Sequence, residues 1–201
     1  MPALDLLHPE LKGSLEGQLY RAACSAFRRP PTPEFERDVA AHLRDGHLYV
    51  VIQGGRGVGF AVMKDYTEIG ATYVSGIVKE SVAPSGVIEN VVKAHVSGFK
   101  TVVVRTQNDR VVEIMKDICH LVVPLHREAG EAEMYILGRM GLGSSSSGEP
   151  VGTDMVARKH YGGEPMIGDG SRQRSRIFEV SRTTDRLNYP GGDALLLVGY
   201  K

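Results

Sequence analysis

The sequence has 201 residues, 42% of them hydrophobic, which is ordinary for a globular chain that can bury a core. Its 24 Lys and Arg residues balance 24 Asp and Glu residues, so the overall charge does not favour a nucleic-acid or anionic membrane partner. No apolar run approaches the roughly 20 residues of a membrane helix and the first ten residues do not resemble a secretory signal, so we expect a cytoplasmic protein that binds neither membrane nor nucleic acid.

Two helices are predicted before any strand. Residues 15–27 place apolar side chains at helical spacing, and two prolines then stop the pattern. Thr32 is a suitable N-cap and Pro33 a suitable first residue for a second helix, which Asp45 and Gly46 end.

An antiparallel hairpin and a third strand come next. Residues 47–53 and 58–64 read as strands on either side of a glycine-rich turn at 54–57. These glycines suggest a nucleotide-binding loop, but such a loop is followed by a helix, and because a strand follows here we reject that interpretation. Residues 73–79 are rich in β-branched side chains and predict the next strand.

The rest of the chain is organised around residues 73–108. The strand at 73–79 leads through a turn at 84–86 into a helix that Gly98 is placed to end as a C-cap, and a strand at 101–104 follows. This order predicts a crossover unit between parallel strands. The turn would lie at the helix N-terminus, where backbone N–H groups and the helix dipole suit a phosphate. The alternative is an α/β unit with an ordinary glycine turn.

Fewer signals mark the C-terminal half. The predicted elements are a helix over 111–119 capped by Asn108 or Asp109, an edge strand over 121–125, a helix over 131–140, a helical segment over 177–187 and a final strand over 193–201 that pairs inside the sheet. The serine-rich stretch 143–148 predicts a linker or mobile loop. The arginines of 156–186 indicate either a phosphate clamp or a solvated loop. We predict one structural domain, made of a main part at 1–140 and an extension at 141–201.

The two cysteines, Cys24 and Cys119, lie in half-apolar helical stretches and are expected to be free, buried thiols. No Cys and His spacing resembles a zinc site, so no metal is expected. Cys119 lies on an apolar helical face without an evident base, which argues against a nucleophilic role.

The order of the predicted elements resembles that of the GNAT N-acetyltransferase superfamily, most closely over residues 47–125. Val58-Gly59-Phe60-Ala61 is similar to a strand of that family that follows a hairpin, and Ser75-Gly76-Ile77-Val78 to the strand that binds pantetheine through its backbone. Arg105-Thr106-Gln107-Asn108 resembles the end of the next strand. The resemblance implies an α/β fold, with a mixed, mostly antiparallel sheet of about six or seven strands flanked by helices. Strands 73–79 and 101–104 would then diverge to admit the cofactor.

The resemblance also implies an activity: acetyl transfer from acetyl-CoA, or another acyl-CoA, to an amino group of a small molecule. The cofactor-binding residues that it implies are Ile77, Val78, Lys79, Pro84, Ser85, Gly86, Val87, Ile88 and Asn108. Four positions depart from the family pattern, one of them Cys119, which stands where the pattern usually has a glycine. Ala83 replaces a polar residue, Ile88 replaces a small one in the phosphate loop, and Met115 replaces a tyrosine that often acts as the acid.

Glu68, Tyr73 and Glu80 are the candidate catalytic residues, because they flank or lie on the central strand and carry groups that exchange protons. For each of them, a surface or half-buried structural side chain is the alternative interpretation. His120 and His126 are weaker candidates. The alternative function is a catalytically inactive GNAT-like module that binds another ligand or a protein. A homodimer is possible.

Overall fold

The computed structural model describes residues 9–170, 172 and 174–201. These residues form two compact units. The first unit runs to Asp65 and includes Thr72–Gly98, and the second comprises Tyr66–Ala71 and Phe99–Lys201. The predicted boundary between residues 140 and 141 stays a prediction, as does the assignment of both parts to one structural domain. The N-terminal residues considered for a secretory signal lie mostly outside the described part of the chain.

The first unit packs helices against a three-stranded sheet in the order β1-β2-β3. Its elements are α1 (Pro9–Phe27), α2 (Pro33–Arg44), β1 (His47–Gln53), β2 (Arg56–Tyr66), β3 (Ala71–Lys79) and α3 (Val87–Val96). The predicted helices, hairpin and third strand are therefore confirmed. Leu19 of α1, Leu43 of α2 and Phe60 of β2 are almost wholly buried in one apolar cluster. Burial of such side chains stabilises the unit by about 1.5–3 kcal/mol each.

Local chemistry fixes the start of α2. Thr32 is extended, and its hydroxyl accepts a hydrogen bond of 3.2 Å from the backbone N–H of Phe35. Pro33 follows at the first helical position, where its missing N–H costs nothing. Both features were predicted from the sequence and are confirmed.

The second unit is organised on its C-terminal strand. Its elements are a 3₁₀ turn (Thr67–Ile69), β4 (Thr101–Thr106), α4 (Asp109–Ile118), β5 (Leu121–Val123), α5 (Glu131–Arg139), β6 (Val156–Ala157), α6 (Phe178–Thr184) and β7 (Ala194–Tyr200). Strand β7 pairs antiparallel with β4, β5 and β6. Its side chains from Ala194 to Val198 are fully buried, which confirms the prediction that this strand pairs inside the sheet.

Three sequence expectations need correction. The stretch 143–148 is a hydrogen-bonded turn and not an open linker, because Ser145 is buried and its N–H donates to the Glu149 carbonyl at 2.8 Å. Helix α3 ends with Ser97 as its C-cap, and Gly98 does not adopt the left-handed conformation of a capping glycine. Both cysteines are free as expected, but only Cys119 is buried, since Cys24 is partly exposed.

The predicted fold class is confirmed: the described chain is a mixed α/β structure whose seven strands pair mainly antiparallel, with six α-helices. Among the described residues, no helix has the length and apolarity to cross a bilayer.

Candidate functional site

The loop after β3 begins where that strand is still firmly paired. The Glu80 N–H donates to the Val58 carbonyl of β2 at 3.0 Å, so the two strands stay together up to residue 80. Gly59 makes this approach possible, because a Cβ atom there would lie 2.7 Å from the Val78 carbonyl oxygen. The chain then turns, with the Ala83 N–H donating to the Glu80 carbonyl at 3.1 Å.

Gly86 sets the geometry of the N-terminus of α3. Its φ of 75° lies in the left-handed region that favours glycine. Gly86 is the N-cap residue, and because it has no side chain, no side chain caps the helix. A Cβ built on Gly86 meets no atom within 4 Å, so the space beside the turn is open. The first N–H groups of a helix have no partner within the helix, and the helix dipole places partial positive charge at them. The turn therefore combines donors, positive potential and room.

Ile88 does not fill this turn. It is 2% exposed and lies on the same buried face of α3 as Val92 and Val96, which follow it at helical spacing. The branched side chain thus packs into the core of the unit. The departure from a small residue at this position does not by itself obstruct the loop.

Two cations lie at the loop. The Lys79 ammonium contacts the Ala83 carbonyl at 3.4 Å, which places its charge against the backbone of the turn. Arg56 binds Glu80 at two points, with N–O distances of 3.2 and 2.6 Å. Such two-point contacts are the strong form of an ion pair, and Glu80 is 8% exposed. Arg56 was not predicted, and nothing near it in the sequence indicates its partner 24 residues away.

The structure brings only part of the predicted site together in the first unit. Lys79, Glu80 and residues 84–88 surround one turn, while Tyr73 is a half-buried residue nearer the start of β3. Glu68 is exposed in the 3₁₀ turn and Asn108 precedes α4, and both belong to the second unit. Their assignment to the site stays a prediction.

Two residues of α4 bear on the predicted chemistry. The side-chain oxygen of Asn108 accepts from the Arg110 N–H at 2.9 Å, so Asn108 and not Asp109 is the N-cap. Met115, at the position of the tyrosine, is 2% exposed and packs in the core. A thioether cannot donate a proton, so α4 supplies no acid there.

Five of the six arginines of the segment 156–186 are exposed, as the solvated alternative predicts, and Arg172 is largely buried. Arg172 contacts Asp109 at 3.2 Å and Asp185 at 3.0 Å, and Arg158 contacts Asp193 at 3.0 Å. Asp109 is 1% exposed and also accepts from a backbone N–H at 2.8 Å. Arg172 and Arg158 thus each pair with a buried carboxylate, Asp109 and Asp193, within the second unit.

Cys119 is unsuited to nucleophilic chemistry. Burial raises the pKa of its thiol to about 11, against a weak lowering by Lys201. The thiolate, which is the reactive form, is therefore scarce at neutral pH. Among the described residues no group of His, Cys, Asp and Glu side chains is arranged to hold a metal ion.

The fold and the loop after β3 define a mixed α/β protein with an open, glycine-capped helix N-terminus. The sequence matches no known family profile and no curated protein. Several solved structures to which this chain is similar are acetyltransferases.

Three of these structures illustrate the likeness. The Tetrahymena GCN5 structure has a TM-score of 0.46 and 10% identity, covering 65% of this chain and 81% of that chain. The aminoglycoside 6'-N-acetyltransferase of Enterococcus faecium has a TM-score of 0.41 and 15% identity, covering 58% and 83%. A GNAT family acetyltransferase of Elizabethkingia anophelis with acetyl-CoA bound has a TM-score of 0.43 and 11% identity, covering 86% and 92%. At these values the likeness concerns the fold alone.

Proposed function

We propose that this protein binds an acyl-CoA at the loop between β3 and α3 and transfers the acyl group, in the simplest case acetyl, to an amino group of a small molecule. The observation that supports the proposal is the start of α3, where Gly86 is left-handed, no side chain caps the helix and the adjoining space is open. A diphosphate requires backbone donors and space for its oxygens, and this turn offers both.

The chain's own residues have distinct parts in this proposal. Within residues 84–88, the backbone N–H groups of 85–88 would bind the diphosphate, since Pro84 has none and only shapes the turn, and Lys79 would add a positive charge. Glu89 already places negative charge in the first turn of α3, so the charge of Lys79 is needed to offset it. The backbone of Ile77 and Val78 would bind pantetheine, and the assignment of Asn108 to cofactor binding stays a prediction from the resemblance. Bound acyl-CoA supplies the acyl group as a thioester, which is reactive toward amines.

Binding is tested by isothermal titration of CoA and acetyl-CoA into the wild type and two matched variants. Gly86→Leu places a side chain in the open space of the turn, and we expect it to weaken binding by about tenfold or more, which is about 1.4 kcal/mol. Gly70→Leu is the control. Gly70 also has a positive φ and open space around its Cβ position, but it precedes the first residue of β3, whereas the loop follows the last.

The control separates backbone strain from blockage of the site. If both variants lose binding equally, backbone strain explains the loss, and the result does not assign the CoA site to the loop after β3. If wild-type protein gives no heat with either ligand at millimolar concentration, the proposed cofactor is wrong.

The candidates for accepting the amine proton are Glu68, Tyr73 and Glu80. Both Glu80 oxygens accept hydrogen bonds from Arg56, so Arg56 would have to give way before Glu80 could accept a proton from an amine. Release of free CoA thiol from acetyl-CoA in the presence of a panel of small amines measures transfer. Loss of this release in Glu80→Gln, with CoA binding retained, would identify Glu80 as the base.

One rival function has specific support. Met115 is buried and stands where an acyltransferase would often have an acidic tyrosine, and Glu80, a candidate base, is already paired with Arg56. Both observations favour a module that binds CoA or another ligand without transferring an acyl group. CoA binding without thiol release in any amine would support this rival. A homodimer remains part of the proposal, and light scattering of the eluting protein tests it.

A further inference from the structure

A chain of polar side chains lies at the far end of α3 from the candidate loop, within the first unit. The Tyr49 hydroxyl and His95 Nδ1 are 2.9 Å apart, and His95 Nε2 and Asp65 Oδ1 are 3.0 Å apart. The Thr72 hydroxyl also donates to Asp65 Oδ1, at 2.8 Å. No part of the proposed acyltransferase site includes these residues.

The topology explains how these residues meet. His47 and Tyr49 are two apart on β1 and share one face of the strand. His47 is opposite Met63 of β2, so Asp65, two residues further, points to that same face. His95 lies in the last turn of α3, which packs on β1.

The carboxylate fixes the direction of proton transfer. An ionised Asp65 only accepts hydrogen bonds, so the nitrogen of His95 that faces it, Nε2, carries the hydrogen. In the neutral ring Nδ1 then has the lone pair, and the hydrogen bond runs from the Tyr49 hydroxyl to it. Hydrogen bonds thus connect a hydroxyl (Tyr49), a base (His95) and a group that orients the base (Asp65), in that order.

Exposure is lowest at the base and highest at the tyrosine. Asp65 and His95 have side-chain exposures of 20% and 8%, whereas Tyr49 is 37% exposed. The base is thus largely shielded from water, while the tyrosine that it would activate is partly exposed. His47 binds the other oxygen of Asp65 at 3.0 Å and is largely exposed.

We propose that Tyr49, His95 and Asp65 form a second reactive site, in which Tyr49 is a nucleophile that accepts an acyl group from an activated ester. The Tyr49 O–H proton passes to His95 Nδ1 as the tyrosine oxygen bonds to the acyl carbon. The ester C–O bond then breaks, and the leaving aryl oxide takes the proton from His95. The products are an O-acyl tyrosine and a phenol. Asp65 is a positioning residue that holds the tautomer of His95.

The test uses p-nitrophenyl acetate on the full chain, with acetylated residues mapped and timed by peptide mass spectrometry. Tyr135 is an internal reference, because it is 59% exposed on α5 and, among the described residues, its hydroxyl has no hydrogen bond to a histidine or a carboxylate. Exposure alone predicts faster labelling of Tyr135. The relay predicts that Tyr49 is labelled at least about tenfold faster, since a positioned base contributes factors of about 10²–10⁴.

Variants separate the relay from a network that only supports the fold. Asp65→Asn should bring the labelling ratio of Tyr49 to Tyr135 down to about one or below, as exposure alone predicts, while circular dichroism shows a folded chain. His47→Gln, on the other oxygen of Asp65, should leave the ratio above about five. Wild-type labelling of Tyr49 no faster than that of Tyr135 overturns the proposal, and so does a ratio that Asp65→Asn leaves unchanged in a folded protein.

Discussion

Replacing Glu133 with glutamine should destabilise the second unit by about 2–3 kcal/mol. Glu133 is fully buried on α5 and accepts hydrogen bonds from Arg127 at 3.0 and 2.7 Å, from the Gly130 N–H at 2.8 Å and from the Tyr200 hydroxyl. Burial alone raises the pKa of this carboxyl, but the donors outweigh it and lower the pKa from 4.5 to about 2. At roughly 1.4 kcal/mol for each pKa unit, that difference corresponds to about 3 kcal/mol.

The pH dependence gives the sharper test. Because the folded pKa lies below the unfolded one, the unfolded chain binds the proton first and the Glu133 contribution is complete above about pH 4.5. It is lost as the pH falls from there to about 2. Glutamine cannot titrate, so the difference in free energy of unfolding between wild type and Glu133→Gln should be largest at pH 7 and shrink toward pH 2.

Urea denaturation followed by circular dichroism at pH 7, 4 and 2.5 measures this difference. Glu131→Gln is the matched control, since Glu131 lies in the same first turn of α5 but is exposed, and its loss should cost less than about 1 kcal/mol. A difference for Glu133→Gln that equals the control, or that does not change with pH, would refute the assignment of this energy to the buried carboxylate.

Three further predictions follow from local geometry. Gly59→Ala should lower the free energy of unfolding in urea by at least about 1 kcal/mol, because its Cβ would meet the Val78 carbonyl, and an unchanged midpoint would show that the strands separate easily. Asn108→Ala should cost about 1 kcal/mol through the lost cap of α4, with Asn108→Asp close to wild type in the same assay. Alkylation of Cys119 by iodoacetamide at pH 7 should be slower than that of the partly exposed Cys24, and equal rates in folded protein would contradict its raised pKa and burial.

The first unit could be predicted largely from its sequence because local signals and packing agree there. The strand expected at 47–53 is β1 at His47–Gln53, where alternating side chains and a glycine turn specify a hairpin. Helix α2 begins at Pro33 because the preceding threonine caps it and the proline fits its first position. In such stretches each residue favours the conformation that the fold requires.

The second unit depends more on partners that are distant in the sequence. Strand β6 has two residues and exists because Val156 and Ala157 pair with β7, which no local periodicity indicates. The turn at 143–148 has the composition of a linker but is fixed by its own hydrogen bonds. Arg172 and Asp109 pair across 63 residues, so the sequence showed only a basic stretch.

The candidate site also has a part that local sequence predicts and a part that depends on residues distant in the sequence. The turn at 84–86 was predicted because glycine and proline specify backbone shape directly. The contact of Arg56 with Glu80 and the relay from Tyr49 to Asp65 were missed, since each joins residues from different elements. Residue type alone does not distinguish a paired carboxylate from an available one.

The position of β7 in the chain has a consequence for biosynthesis. β4, β5 and β6 all leave the ribosome before the strand that all three pair with. Until Ala194–Tyr200 emerges, the nascent second unit has unpaired strand edges and an exposed apolar face, whereas every strand of the first unit has already been translated. Ribosome-bound chains halted before residue 194 should therefore be the form most dependent on chaperones.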